Sequence, residues 1–366
     1  MLAPLLLTLA AAQPAAFDAS RWHIVDPNAA TISYLSQPSL FLDNGVAFVR
    51  DSSFGDGTID VDIAMHGHPS FAGIVFRAAS DDNYELIYVR PHLSRHPDAL
   101  QYTPVFGNSE AWQLYSGPGY TAAAELPLNR WVHLRVIVAG HTARLFVDGA
   151  AEPQLVVTDL KRPWTRGQVG LWGRFGGANF SNFTFTAAAT TASPEPRDQG
   201  ATEQQLLLDW ELSPSWETGK VADDTLPDLE GAGWTHVRAE AAGIVNIARY
   251  RTSARSDISP AKSRDVVFAK TTITSVQPHP ARLVFAYSDA IHIFLNGRLL
   301  FAGESGFRAR DPAFLGIASL GPDAIYLDLA PGPNTLVFSI SETFGGWGFA
   351  ARLEPLGPNL VLEQRP

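Results

Sequence analysis

Asp60 and Asp62 in the run GTIDVDI stand two positions apart, so on a strand both carboxyls face the same side. Two carboxyls are what glycoside hydrolysis uses, one as acid and one as base or nucleophile. The plainer reading is a solvated strand face carrying alternating acids. A second group fills Arg90–Tyr120, RPHLSRHPDALQYTPVFGNSEAWQLYSGPGY, directly after the apolar run YELIYV. Tyr88, Arg90 and His92 share one face if the strand persists past Pro91. Gln101, Tyr102, Asn108, Trp112, Gln113 and Tyr115 add rings and amides. Rings that cover C–H faces, with planar groups that bond hydroxyls, suit a hydroxyl-rich ligand in a pocket of apolar walls and few polar groups. Against this stands a structured loop whose aromatics only pack on a sheet edge, although long ordered loops tend to carry function.

Arg77 in GIVFRA and Glu85 in NYELIY fall on what should be neighbouring strands, where an ion pair across the strands is the ordinary outcome. Trp347 in ETFGGWGFAAR follows two glycines that let the backbone swing. That ring either stacks on a ligand at a sheet end or fills a core beside a glycine bulge.

Metal chemistry has a narrow choice of donors. The chain holds no cysteine, which excludes disulfides and thiolate sites and leaves imidazole and oxygen. His66 and His68 form one candidate pair and His92 and His96 another, but Pro91 and Pro97 keep the latter from sitting one helical turn apart. No carboxylate completes a zinc set by spacing. Ser80-Asp81-Asp82-Asn83 offers oxygen donors, and a turn cluster explains it equally well. No stretch resembles a nucleophile elbow, a phosphate-binding glycine loop or a dinucleotide turn.

The elements that must position these residues are strands. Hydrophobic residues make up 46% of the 366 and charged residues 17%, a balance that folds with real cores. The net charge of −10 argues against nucleic acid or an anionic membrane as partner. Short apolar or alternating runs recur about every ten residues: GTIDVDIAM, AGIVFRA, YELIYVRP, WVHLRVIVAG, ARLFVDG, QVGLWGRF and NFSNFTFTA. After Leu206 come DVVFAKTTITSV, ARLVFAYSDAIHIFLNGRLLFAG, AIYLDLAPGPNTLVFSISE and GWGFAARLEP. Asn44-Gly45, Asp148-Gly149 and Asn296-Gly297 read as hairpin turns. No long helix is evident. Such strands must bury their apolar faces on a second sheet, so the fold class expected is all-β, two sandwiches joined by a short linker. The stretch TTASPEPRDQGATEQ, 190–204, reads as that linker. MLAPLLLTLAAAQPAAF opens the chain with a Leu/Ala run too short to span a bilayer and small residues at Ala10 and Ala12. Residues 1–16 therefore read as a signal peptide, although no Lys or Arg precedes the run. Export without cysteine suits a bacterial envelope, periplasmic or secreted protein. Asn179-Phe-Ser and Asn182-Phe-Thr match the glycosylation acceptor pattern, which is common by chance.

The first half, 17–189, resembles the concanavalin-like jelly roll, with its laminin-G-like and 3-keto-disaccharide-hydrolase-related branches. DGTIDVDIAM, GIVFRAASDDNYELIYV, LNRWVHLRVIVAGHTARLFVDG and GQVGLWGRFGGANFSNFTF carry the likeness. The second half, 205–366, is similar to the galactose-binding-like jelly roll that accompanies many glycoside hydrolases, through SDAIHIFLNGRLLFAG and LAPGPNTLVFSISETFGGWGFAARL. The resemblance implies an oligo- or polysaccharide partner and places the strand ending at Arg90 on a concave binding sheet, with Arg77 beside that face. It makes Ca²⁺ the cofactor to look for. Two departures bear on activity: the Glu-x-Asp-x-Glu of retaining members is absent around Asp60, and Phe71-Ala72 replaces the hydrolase branch's Asn-Ser. Taken together the residues imply glycan binding or an accessory role in glycan breakdown. A glycan-active hydrolase is the first alternative and a protein–protein adhesion module the second. The ligand-binding set expected is Arg77, Tyr88, Arg90, His92, Gln101, Tyr102, Asn108, Trp112, Tyr115 and Trp347.

Overall fold

The computed structural model describes residues 17–67, 69–188, 205–217, 225–240, 242–252 and 265–355. The expected signal peptide, the expected linker and His68 lie outside the described residues. The chain divides into two compact units: Met1–Tyr102 with Gly117–Pro196, and Thr103–Ser116 with Arg197–Pro366. Among the described residues there is no α-helix, and every strand pairing is antiparallel.

In the first unit, one sheet runs in the order Trp22–Val25, Gly45–Val49, Gln168–Arg174, Phe71–Ser80, Asn83–Val89, the strand Leu100–Phe106 through its first three residues, and Thr121–Ala122. The facing sheet runs Leu155–Val157, Thr142–Val147, Trp131–Ala139, Gly57–Met65, Ala178–Ala187, Gln37–Leu42 and Ala30–Tyr34. The core between them takes Ile74, Phe76, Ile87 and Leu171 from the first sheet and Val61, Ile63, Leu134 and Val136 from the second. Each such fully buried side chain stabilises by roughly 1.5–3 kcal/mol, an upper estimate.

The two sheets differ in the pattern that builds them. In Trp131–Ala139, buried and open positions alternate along the whole strand, so residues 131, 133, 135 and 137 point outward. Asn83–Val89 and the first eight residues of Phe71–Ser80 are buried at nearly every position. Their near-continuous apolar runs signal burial on both faces rather than one.

The turns divide in the same way. Asn296-Gly297 makes the two-residue hairpin expected, with φ of 50° and 82° and Leu295 opposite Arg298. Asn44-Gly45 does not: Gln37–Leu42 and Gly45–Val49 lie in different sheets, so the pair is a corner between layers. Gly45 is required there because a Cβ would stand 2.1 Å from the Val25 carbonyl oxygen. Asp26 fixes the corner by accepting from the Asp43 and Asn44 amides at 2.7 and 3.1 Å. After Asp148-Gly149 the chain pairs back only at Leu155–Val157, leaving the wide turn 148–154.

The second unit is also a sandwich. One sheet runs Thr235–Arg238, Asp209–Leu212, Asp265–Ser275, Gly332–Glu342, Ala290–Leu295 and Arg298–Glu304, with Trp216–Glu217 also pairing Asp265–Ser275. The other runs Val245–Asn246, Gly348–Pro355, His279–Ser288 and Asp323–Leu329. Trp210, Phe338, Ile340 and Ile293 meet Leu283, Phe285, Phe349 and Leu353 between them. Trp347 belongs to this core, fully buried, with its Nε1 donating to the Ile340 carbonyl at 3.2 Å. The alternative of an exposed stacking ring there is corrected: the glycines deliver the indole inward.

Candidate functional site

The Arg77 region is sealed. Its strand bulges between Phe76 and Ser80, and Arg77 takes a φ of 50°. The guanidinium donates from Nε to the Gly55 carbonyl at 2.8 Å, and from Nη2 to Asp56 Oδ1 at 2.9 Å and the Gly140 carbonyl at 2.6 Å. Its ion pair is therefore with Asp56 and not, as the strand adjacency suggested, with Glu85. Glu85 is wholly buried and accepts from the Tyr102 hydroxyl at 2.7 Å and the Arg162 amide at 3.1 Å. Burial pushes its carboxyl up, against the pull of Tyr102 and Arg77. Burial acts on Asp56 too, but Trp164, the Gly140 amide and Arg77 together hold it below the usual carboxylate value. Two acids with pKa values pushed apart are the mark of acid–base chemistry. Here Arg77, Glu85 and Tyr102 all have 0% exposure, so no glycan reaches them, and the arrangement is internal bracing.

The expected groove after Val89 is also filled. The strand ends there, and Pro91–Leu93 forms a 3-10 turn instead of a continued strand. Tyr88, Arg90 and Gln101 do come together: Arg90 Nη2 donates to the Tyr88 hydroxyl at 2.6 Å and to Gln101 Oε1 at 3.3 Å. His92 joins them through Phe71, whose ring is 5.0 Å from His92 and 6.1 Å from Tyr88. Yet Tyr88 and Gln101 are buried, and so are Phe48, Val75, Leu86 and Trp172 on the same sheet. A face expected to display rings is packed with hydrocarbon. Asn108 is an exposed turn residue with φ of 64°. Trp112 and Tyr115 belong to the second unit, where Trp112 meets Phe307 and Phe344 at 6.2 and 6.4 Å. There the Tyr115 hydroxyl donates to Glu240 at 2.5 Å.

What stays open is the outer face of the other sheet. Asp60 lies opposite Arg135, and Asp62 opposite His133. His133 Nδ1 meets Asp62 Oδ1 at 2.7 Å and Nε2 meets Asp60 Oδ1 at 3.0 Å, so one imidazole spans both carboxylates. Arg135 Nε donates to Asp60 Oδ1 at 2.7 Å, and Asn182 Nδ2 donates to Asp62 Oδ2 at 2.7 Å. Burial alone would raise both acids, but His133, then Arg135 for Asp60 and Asn182 for Asp62, outweigh it and lower them. The hydrogen bonds to Asp60 and then Asp62 raise His133 to about 9. At neutral pH the group is an imidazolium between two carboxylates, and neither acid holds a proton to give.

A cavity of about 330 Å³ opens beside it, lined by His133, Arg135, Ile137, Phe146, Gly149, Ala150 and Ala151. Its floor follows from strand geometry: residues 133, 135 and 137 share a face, and Phe146 sits opposite Arg135. Its wall is the wide turn, clipped by the His133 amide donating to Asp148 Oδ1 at 3.0 Å and the Gln154 amide donating to the Leu145 carbonyl at 2.9 Å. Sequence reading found Asp60 and Asp62 but missed His133, Arg135 and Phe146. The available signal was Asp-x-Asp in one alternating run and His-x-Arg in another, the same spacing with opposite charge.

For metals, Ser80 and Asn83 spend their side chains on Asp82 at 2.5 and 2.7 Å, and Asp81 faces His23 at 3.0 Å. Among the described residues no group of three or more His, Cys, Asp or Glu is placed to hold an ion. No helix among them is long and apolar enough to cross a membrane.

No protein-family model matches the chain, and no curated protein matches it. Among solved structures it is similar to the carbohydrate-binding module CBM66 from Bacillus subtilis, at TM-score 0.36 and 18% identity, covering 45% of this chain and 95% of that one. It is similar also to a protein of unknown function with a galectin-like fold from Bacillus subtilis, at TM-score 0.35 and 14% identity, covering 47% and 91%. A third is a β-glucanase of Bacillus licheniformis, at TM-score 0.32 and 10% identity, covering 47% and 94%.

Proposed function

We propose that the protein is an exported carbohydrate-interacting protein that binds glycan without cleaving it, through the outer face of the first sandwich. The observation that carries this reading is the cavity beside His133, with an apolar floor of Ile137 and Phe146 and the charged head of Arg135 at its edge. Its volume is in the range of small-ligand sites and suits one sugar ring. A ring's C–H face can lie on Phe146 while its polar groups meet the guanidinium.

Binding is favoured over hydrolysis by the state of the acids. Glycoside cleavage needs one carboxyl kept protonated to protonate the leaving oxygen. Asp60 and Asp62 are both held below the ordinary 3.8 and are both engaged by His133. The leader-like run MLAPLLLTLAAAQ supports export.

The test is a panel of plant and algal oligosaccharides offered to the protein, read both by retention and by release of reducing ends. Retention without release is expected. Release of reducing ends that disappears in Asp60→Asn would overturn the non-catalytic reading.

A further inference from the structure

We infer that the cavity beside His133 is selective for a sugar bearing a carboxylate, a hexuronate residue, with Arg135 as the group that reads the acid. The inference rests on the binding role just proposed and goes further by naming the ligand class.

The donors available in the cavity decide the point. His133 lines it, but both of its ring nitrogens are already bonded to Asp60 and Asp62, so it has no N–H left to offer. Arg135 spends only Nε, on Asp60; Nη1 and Nη2 make no hydrogen bond to any described residue. Its side chain is about half exposed, at 52%, so those nitrogens are open to a guest. Two N–H groups side by side on a rigid plane match the two oxygens of a carboxylate. A neutral hydroxyl would use one of them and leave the fork half filled. The remaining lining, Ile137, Phe146 and the small residues Gly149, Ala150 and Ala151, supplies apolar surface and space but no side-chain hydrogen-bonding group.

The charges around the cavity are compatible with an anion. Asp60, Asp62, the His133 imidazolium and Arg135 cancel one another formally. Arg144, exposed and directly opposite the cavity residue Ile137, lies on the same face and has no carboxylate partner among the described residues. A guest carboxylate therefore meets a neutral cluster with an aimed fork and one more cation beside it. Attraction of that kind is short-ranged, so salt should weaken it less than it weakens binding to a lysine patch.

The experiment uses the mature protein and three probes: oligogalacturonate, its fully methyl-esterified form, and a sulfated galactan of similar length. Calorimetry should show binding of oligogalacturonate and a loss of at least about tenfold on esterification, since a hydrogen bond to a charged group contributes about 1.5–3 kcal/mol and 1.4 kcal/mol is tenfold. Arg135→Met should erase the preference for acid over ester. Ala151→Trp, at an exposed position on the cavity wall, should block both ligands while leaving the fold intact. Equal binding of acid and ester would overturn the hexuronate inference and leave the binding role standing. Sulfated galactan bound as tightly as oligogalacturonate would also overturn it, in favour of a general anion site. If none of the three binds and the wider panel is silent, the binding role falls with it.

Discussion

Two clusters in the first sandwich are assembled from the same kinds of residue and differ in their access to water. Arg77 with Asp56 and Glu85 lies sealed, its guanidinium spread over two backbone carbonyls and a carboxylate. Arg135 with Asp60, Asp62 and His133 lies on an outer sheet face, beside a cavity, with two nitrogens uncommitted. The sequence puts Arg77, with Arg90, in the expected ligand set and does not mark Arg135; burial gives Arg77 and Arg135 the opposite positions. Burial decides the roles. An ion closed off from water and held by acceptors of the chain braces it, while one with spare donors at an open cavity can read a guest.

The largest expected effect breaks the sealed cluster. Arg77→Met leaves Asp56 without its cation and removes the positive charge near buried Glu85, so unfolding should be easier by roughly 3–5 kcal/mol. Urea denaturation followed by tryptophan fluorescence measures this. A cost below about 1 kcal/mol, the range of a surface pair, would show that Arg77 is not a brace. Arg77→Lys keeps the charge but cannot reach three acceptors, and it should fall between wild type and Arg77→Met.

Breaking the open cluster should be mild for stability and large for ionisation. Asp62→Asn removes one of the two negative charges that hold His133 at about 9, so the imidazole should titrate closer to its ordinary 6.5. The fold should lose only about 0.2–1 kcal/mol, as for exposed pairs. An NMR titration of the His133 ring checks the first statement and thermal melting the second. An unmoved His133 would mean that Asp60 alone sets its value.

Linkage gives the accompanying pH dependence. His133 has a folded pKa of about 9, above the unfolded 6.5, so its contribution is fully present below 6.5 and disappears as pH rises through 9. Asp60 and Asp62 have folded values below 3.8, so their contribution is present above 3.8 and disappears as pH falls through the lowered values. Melting temperature should therefore decline between pH 6.5 and 9, and His133→Gln should remove that part of the decline. The decline should be shallow, because the imidazole is 39% exposed and screened by water.

The fold was readable because its signals are local. Alternation in WVHLRVIV and the turn at Asn296-Gly297 each state their own structure. What failed needed knowledge of which strand lies beside which. Asn44-Gly45 looks the same at a corner between sheets as in a hairpin, and only the approach to Val25 tells them apart. The resemblance gives the strands of AGIVF and YELIYV a ligand-facing side, although their lack of alternation is the signature of two buried faces. Asp60 and Asp62 were legible as a pair. The site became visible only when pairing set His133 and Arg135 against them.

The smallest expected effect concerns Trp112, one of the rings in the ligand set that the sequence implies. In the structure it packs edge-on to Phe307 and at a tilt to Phe344 within the second unit. The cavity that offers Arg135 belongs wholly to residues of the first unit, which has a core of its own. Trp112→Ala should therefore leave oligogalacturonate affinity within about twofold of wild type, as expected for sites that share no partner. Calorimetry on the pair of proteins is the measurement. A tenfold loss in Trp112→Ala, with Arg135→Met silent, would invert the comparison and move glycan recognition to the aromatic cluster.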